Sequence, residues 1–215
     1  MADDAHGDRG IDEAYVIVAP GADAAGERID RERDGQRRPI VFVPDESVAP
    51  KVAADLVGEG IELVELYGGF GPTTAAAVTA AVDGRVPVGL VTFGMESLVA
   101  AAASHQARRA GRPTHWGLLD DGTAGGRLVR EHGPHRWTAV ELSDPADAPH
   151  AAVELVRAGV ELIEMPGGFE TTTVAEVIAA VERKVPVGVI SFGVEALAGA
   201  AAYSARVEAW YASRG

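Results

Sequence analysis

The 215-residue chain has no cysteine, no asparagine and only two lysines, Lys51 and Lys184. It also lacks any apolar run of the roughly 18 residues needed to span a bilayer. Without thiols it can have no disulfide, no thiolate metal site and no cysteine nucleophile. Two lysines leave only two amines for Schiff-base chemistry. Lys and Arg together number 19 against 32 Asp and Glu, a formal charge of −13. Such a charge repels nucleic acid and anionic membranes, and the short basic run from Arg31 to Arg38 does not offset it, so neither is an expected partner. The opening MADDAHGDRGIDEA lacks the basic and apolar regions of a secretory signal. The chain reads as cytoplasmic, with residues 1–13 a disordered tail. The six histidines are scattered without zinc-binding spacing, and neither Gly-x-Gly-x-x-Gly nor a P-loop occurs, so no metal or cofactor is expected.

What the chain does have is a duplication. GIELVELYGGFGPTTAAAVTAAVDGRVPVGLVTFGMESLVAAAAS from Gly60 aligns without gaps to GVELIEMPGGFETTTVAEVIAAVERKVPVGVISFGVEALAGAAAY from Gly159, with 25 of 45 positions identical. At the same offset of 99, YVIVAP meets THWGLL and RPIVFVP meets WTAVELS. Residues 14–112 and 113–215 are therefore two α/β repeats, expected to form one structural unit.

Within each repeat, short β-branched runs bounded by Gly, Pro or Asp read as strands buried on both faces. They fall at 15–19, 40–43, 61–66 and 87–93, and again at 114–119, 138–142, 160–165 and 186–192. Helix-start residues follow: Ser47 after Pro44-Asp45-Glu46, Thr73-Thr74 after Pro72, and Thr171–Thr173 before Glu176. The polar first connections, AGERIDRERD and GGRLVREH, complete the count as weakly periodic helices. Eight parallel βα units imply right-handed crossovers and a small (β/α)8 barrel made of two half-barrels; the alternative is two doubly wound, flavodoxin-like sheets packed as a pseudo-dimer.

The sharpest motif is Tyr67-Gly68-Gly69-Phe70 and its twin Pro166-Gly167-Gly168-Phe169, each at a strand end before a helix. Paired glycines permit positive φ, and the free N–H groups of the following helix can hold an anion or a polarised carbonyl. Neither loop has a neighbouring Lys or Arg, which weakens a phosphate reading. By strand alternation Ile61, Leu63, Glu65 and Tyr67 share a face. A carboxylate in an apolar strand is costly unless paired or used. Glu65 and its twin Glu164 are expected to face one shared cavity, where repulsion would raise one pKa and leave a general acid opposite a general base. Thr92-Phe93-Gly94-Met95-Glu96 and Ser191-Phe192-Gly193-Val194-Glu195 close the fourth strands. There Thr92 and Ser191 would offer hydroxyls, and Glu96 and Glu195 would meet the positive end of a helix.

VAPGAD at Val18–Asp23, ELYGGFG at Glu65–Gly71 and VPVG at Val86–Gly89 resemble a bacterial family of short single-copy proteins of unknown function. The second repeat keeps GGF and VPVG but has GLLDDG in place of VAPGAD. The resemblance implies that single-copy relatives pair as homodimers and that this chain fuses such a pair, acting as a monomeric pseudo-dimer or as a homodimer. It implies no activity.

These residues point to a cofactor-independent lyase, isomerase or cyclase acting on a small neutral metabolite. Glu65 and Glu164 would transfer protons, with Tyr67 and the GGF amides stabilising oxyanion charge. A non-catalytic binding protein is the alternative, with Phe70, Phe93, Phe169, Phe192 and Met95 as pocket walls.

Overall fold

A computed structural model describes residues 11–33, 35–122 and 126–213. The first repeat runs β1 (Glu13–Val18), β2 (Glu27–Ile29), β3 (Glu32–Arg33), β4 (Gln36–Arg37), β5 (Ile40–Val43), α1 (Ala49–Gly58), β6 (Leu63–Tyr67), α2 (Pro72–Ala81), β7 (Val88–Phe93) and α3 (Leu98–Arg109). The second runs β8 (Thr114–Asp120), β9 (Gly126–His132), β10 (His135–Glu141), α4 (Ala148–Arg157), β11 (Leu162–Met165), α5 (Thr171–Ala180), β12 (Val187–Phe192) and α6 (Leu197–Ala212).

Helix starts follow local chemistry. The Asp45 side chain accepts from the Ser47 amide at 2.8 Å, and Pro50 stands in the first turn of α1, where its missing N–H costs nothing. Ala49, Ala53, Leu56 and Val57 then form one buried stripe, spaced as a helix face requires. Asp144 repeats the cap on the Ala146 amide at 2.9 Å, and Ala148, Ala152 and Leu155 repeat the stripe in α4.

All eight expected strands form, but the two first connections do not become helices. They contain β2 and the β3–β4 hairpin in one repeat and β9 in the other. β2 pairs antiparallel with β5, and β9 antiparallel with β10. Both segments are short and weakly periodic, and strand pairing satisfies backbone groups that a helix of that kind would leave to water. The arrangement is mixed α/β with six α-helices among the described residues, not eight parallel βα units. Ile11, Asp12 and Glu13, assigned to the tail by sequence, belong to the fold: Ile11 is a core residue, Asp12 binds Arg37 and Glu13 begins β1. The rest of that expected tail, residues 1–10, lies outside the described residues.

The chain divides into two compact units that do not coincide with the repeats. One holds residues 1–18, 22–89 and 192–215; the other holds 19–21 and 90–191. Each unit thus keeps its own repeat's core but takes its last helix from the other repeat. In the first unit β5, β1 and β6 are parallel neighbours, with β2 at the edge. α6 packs there, with Tyr203 against Ile11 and Leu63, and Val207 and Trp210 beside them. In the second unit β12, β11, β8 and β10 lie in that order with β9 at the edge, and α1's counterpart α4 packs with α5 over a core of Leu155, Ile163, Met165 and Val177. Arg108 of α3 covers the Trp116 ring at 3.9 Å.

The strand registers also correct the repeat alignment. Tyr15 lies opposite Glu65 in the first unit, whereas Leu118 lies opposite Glu164 in the second. Tyr15 therefore corresponds in space to Leu118, not to the Thr114 that an unbroken offset of 99 requires. Ile40 beside Tyr15 and Ala139 beside Leu118 restore the offset at the next strand.

Candidate functional site

In the first unit the register places Glu13 beside Leu63, Tyr15 beside Glu65 and Ile17 beside Tyr67 on parallel neighbours. Alternation points Glu13, Tyr15, Glu65 and Tyr67 to one side of the sheet. The Tyr67 phenol donates to the Glu65 carboxylate in a short hydrogen bond. The Tyr15 phenol donates to Glu13 at 3.2 Å, and the Tyr203 phenol, from α6, donates to the other Glu13 oxygen at 3.1 Å. Arg38 forms an ion pair with Glu13, and the Tyr15 and Tyr67 rings meet tilted at a centroid distance of 5.0 Å. The guanidinium of Arg31 lies over Tyr15 at 5.4 Å.

This is a buried polar network. Glu65 is 2% exposed, and Tyr15 and Tyr67 are fully buried. Two carboxylates in such a setting are tolerable because phenols and a guanidinium satisfy them. Burial first, and then the negative charge of Glu13, hold the Tyr203 phenol far above its ordinary ionisation range. Tyr203 therefore remains a hydrogen-bond donor throughout the physiological range.

The second unit does not repeat the network. Glu164 is 1% exposed and lies between Leu118 and Gly188 on the flanking strands. By spatial correspondence Trp116 takes the place of Glu13 and Leu118 that of Tyr15, while Pro166 stands at the position of Tyr67 and Ser104 at that of Tyr203. Ser104 instead donates to the Glu161 carbonyl at 3.5 Å.

The glycine turns differ in the same way. Gly68 and Gly69 have φ of 88° and 87°, the left-handed region where a side chain is strained. Gly168 has no such angle; a Cβ there would meet the Asp121 carboxylate at 2.5 Å. An anion already sits at the start of α2: Glu46 accepts from Thr74 Oγ1 at 2.5 Å and, at 3.5 Å, from the Gly71 amide. At α5 Glu170 is the N-cap residue and accepts from Thr172 Oγ1 at 3.2 Å. The chain's own carboxylates thus stand at both helix starts that the sequence offered to an anion or a polarised carbonyl.

Phe70 and Phe169 are core residues, Phe192 packs beside Tyr203, and the Phe93 ring lies against Gly188. Met95 is 83% exposed and walls no buried pocket. Gly94 and Gly193 lack a side chain where the Glu96 and Glu195 carboxylates fold back over them; Glu96 precedes the first turn of α3, and Glu195 lies in the 3-10 turn before α6. Thr92 and Ser191, in contrast, come together: their hydroxyls lie 2.7 Å apart on an exposed surface.

Sequence reasoning missed Glu13, Tyr15, Arg38 and Tyr203. The available signal was the period-two spacing of Glu13, Tyr15 and Ile17, which extends β1 into the supposed tail. Nothing local marks Tyr203, since its partner is 190 residues away. Three arginines of the basic run are spent internally: Arg37 on Asp12 at 2.8 Å, Arg38 on Glu13, Arg31 on the Arg38 carbonyl at 3.0 Å. Among the described residues no His, Asp and Glu side chains gather to hold a metal ion, and no helix is long and apolar enough to cross a membrane.

The chain belongs to a family of unknown function, DUF6506, whose model matches residues 11–106 and again 123–205. Two matches in tandem agree with the duplication, and the second begins beyond the displaced strand β8. No curated protein matches the chain. Among solved structures it is similar to a carbohydrate transporter from Acidothermus cellulolyticus 11B in complex with myo-inositol, at 13% identity and TM-score 0.29, covering 82% of this chain and 73% of that one. An ABC transporter solute binding protein from Clostridium phytofermentas with bound L-rhamnose matches at 10% identity and TM-score 0.30, covering 83% and 68%. An NtrC family transcriptional regulator from Clostridium acetobutylicum matches at 12% identity and TM-score 0.30, covering 92% and 97%. Likenesses this slight assign no function.

Proposed function

We propose that this member of the family transfers protons on a small, neutral metabolite without a cofactor, as a lyase, isomerase or cyclase, using the buried network of its first unit. The observation that carries the reading is the Tyr67 phenol donating to the Glu65 carboxylate on a face that also holds Glu13. Glu65 is the base: it takes a proton from carbon next to a substrate carbonyl and returns it to the neighbouring atom or to a leaving group. Tyr67 then turns from Glu65 to the carbonyl oxygen, where charge develops.

The second carboxylate of this reading is Glu13 rather than Glu164. Glu13 is fixed by Arg38 and two phenols, while Glu164 has Leu118 and Pro166 where Glu65 has Tyr15 and Tyr67. A neutral substrate suits a site whose nearby helix start is already occupied by Glu46. The reading keeps the protein cytoplasmic, a monomer or homodimer, with a small molecule as partner; its acidity disfavours only nucleic acid and anionic membranes. A barrel closed from the two repeats is not needed for it, because Glu13, Glu65 and Tyr67 belong to one unit.

Deuterium exchange tests the reading before a substrate is known. The protein is incubated in D2O with a panel of neutral carbonyl metabolites, and label is read by mass spectrometry. Wild type should label at least one compound, and Glu65→Gln should slow that labelling by about 10²–10⁴-fold. No labelling across the panel, or undiminished labelling by Glu65→Gln and Tyr67→Phe, would remove this site from catalysis.

A further inference from the structure

The second unit carries an open cavity of about 510 Å³ lined by Glu96, Ala175, Ile178, Ala179, Glu182 and Arg183. Ala175, Ile178 and Ala179 share one face of α5, Glu182 and Arg183 follow in the turn beyond it, and Glu96 approaches from the segment preceding α3. Two features set this place apart from its counterpart in the first repeat. Glu96, Ala175, Ala179 and Glu182 correspond to Glu195, Ala76, Ala80 and Asp83, residues of the same kind. Ile178 and Arg183 correspond to Thr79 and Gly84, so the second repeat has gained an apolar surface and a cation here and nowhere else in the lining.

The cation also occupies a strained position. Gly84 has φ of 62°, which glycine adopts freely, and Arg183 adopts nearly the same φ of 56° with a full side chain. Glu182 before it has φ of 53°. Glu182 forms an ion pair with Lys184 at 3.0 Å, leaving Arg183 and Glu96 as the opposite charges beside the Ala175–Ile178–Ala179 strip. An arginine retained at such an angle beside a cavity is strain of the kind that functional sites hold.

We infer that this cavity binds a small zwitterion with an aliphatic body, its carboxylate on Arg183, its amine toward Glu96 and its chain on Ala175, Ile178 and Ala179. The site lies within the second unit and uses none of the residues assigned to proton transfer. It therefore stands or falls separately from the proposed activity.

Calorimetric titration of the full chain at low ionic strength, with L-leucine and with 6-aminohexanoate, tests this and separates a ligand with adjacent charges from one with separated charges. Saturable binding of one probe is expected, weakened about tenfold or more by Arg183→Gly. Ile178→Thr, the other residue of the first repeat, should weaken it severalfold, and Glu65→Gln should leave it unchanged. Arg183→Gly relieves the left-handed strain, so a thermal melt no lower than wild type will show that lost binding is not lost folding. Absence of binding by both probes up to about 10 mM, or equal binding by wild type and Arg183→Gly, overturns the inference.

Discussion

The Tyr203 phenol donates to the Glu13 carboxylate across 3.1 Å, tying the chain's last helix to its first strand. Both groups are buried, so the bond is made away from water, and Arg38 balances the charge that it surrounds. Tyr203→Phe removes the donor while keeping the ring and should cost about 1–2 kcal/mol in urea denaturation. Glu13→Gln leaves Arg38 without its counter-charge and should cost more, about 3–5 kcal/mol. In a double-mutant cycle of Tyr203→Phe with Glu13→Leu, which removes the acceptor, the combined loss should fall short of the sum of the single losses, because each variant removes the same bond. Strict additivity would mean that the bond contributes nothing in solution.

Alkaline difference spectroscopy reads the same contact from the other side. Burial and Glu13 keep the Tyr203 phenol protonated, so it should ionise only when the protein unfolds. Spectra of wild type and Tyr203→Phe should coincide up to the unfolding pH. A phenolate signal present in the native wild type and missing from the variant would contradict the buried bond.

Two histidines in the second unit make stability fall with acidification. Burial, then Arg136 and Arg127, lower the His115 pKa; burial, then Arg108 and His132, lower that of His135. Both rings sit beside threonine hydroxyls, His115 Nε2 at 2.9 Å from Thr138 and His135 Nδ1 at 2.8 Å from Thr114. With folded pKa values below the unfolded value of about 6.5, the unfolded chain takes up protons first. Their contribution is complete above that value and is lost as pH falls through the depressed folded values. Urea midpoints followed downward from pH 8 should decline below about pH 6.5, and less steeply in His115→Gln or His135→Gln.

The paired glycine turns should respond differently to one added methyl group. Gly68→Ala or Gly69→Ala forces a side chain into the left-handed region and should cost about 1–2 kcal/mol by denaturation. Gly168→Ala meets the Asp121 carboxylate instead, a flexible group that can move aside. A smaller loss is expected there, about 1 kcal/mol or less. Equal losses at all three positions would mean that the turns are held alike.

Cutting the chain at the repeat boundary should not yield a folded half. A chain ending at residue 112 lacks α6 and leaves Ile11, Leu63 and the Glu13 face uncovered. It should associate or bind hydrophobic dyes, as read by size-exclusion chromatography and dye fluorescence. A monomeric half with a cooperative melt would show that α6 is dispensable.

The sequence by itself determined the duplication, every main strand, and the starts of α1, α2 and α5, because these depend on local signals: β-branched runs, caps, prolines and helical stripes. It also pointed to Glu65 and Tyr67 together, since two residues apart on a strand share a face. The tertiary structure decided three things that local pattern does not encode. AGERIDRERD and GGRLVREH became antiparallel edges because a neighbouring strand was there to pair with. β8 slid four residues from the repeat alignment because register answers to cross-strand partners, so that Leu118 rather than Thr114 faces Glu164. And Glu13 turned from a presumed tail residue into the centre of a buried network, because the helix that satisfies it arrives from the far end of the chain. Contacts across 190 residues are set by which surfaces remain to be buried once the strands have paired, and no window of sequence contains both partners.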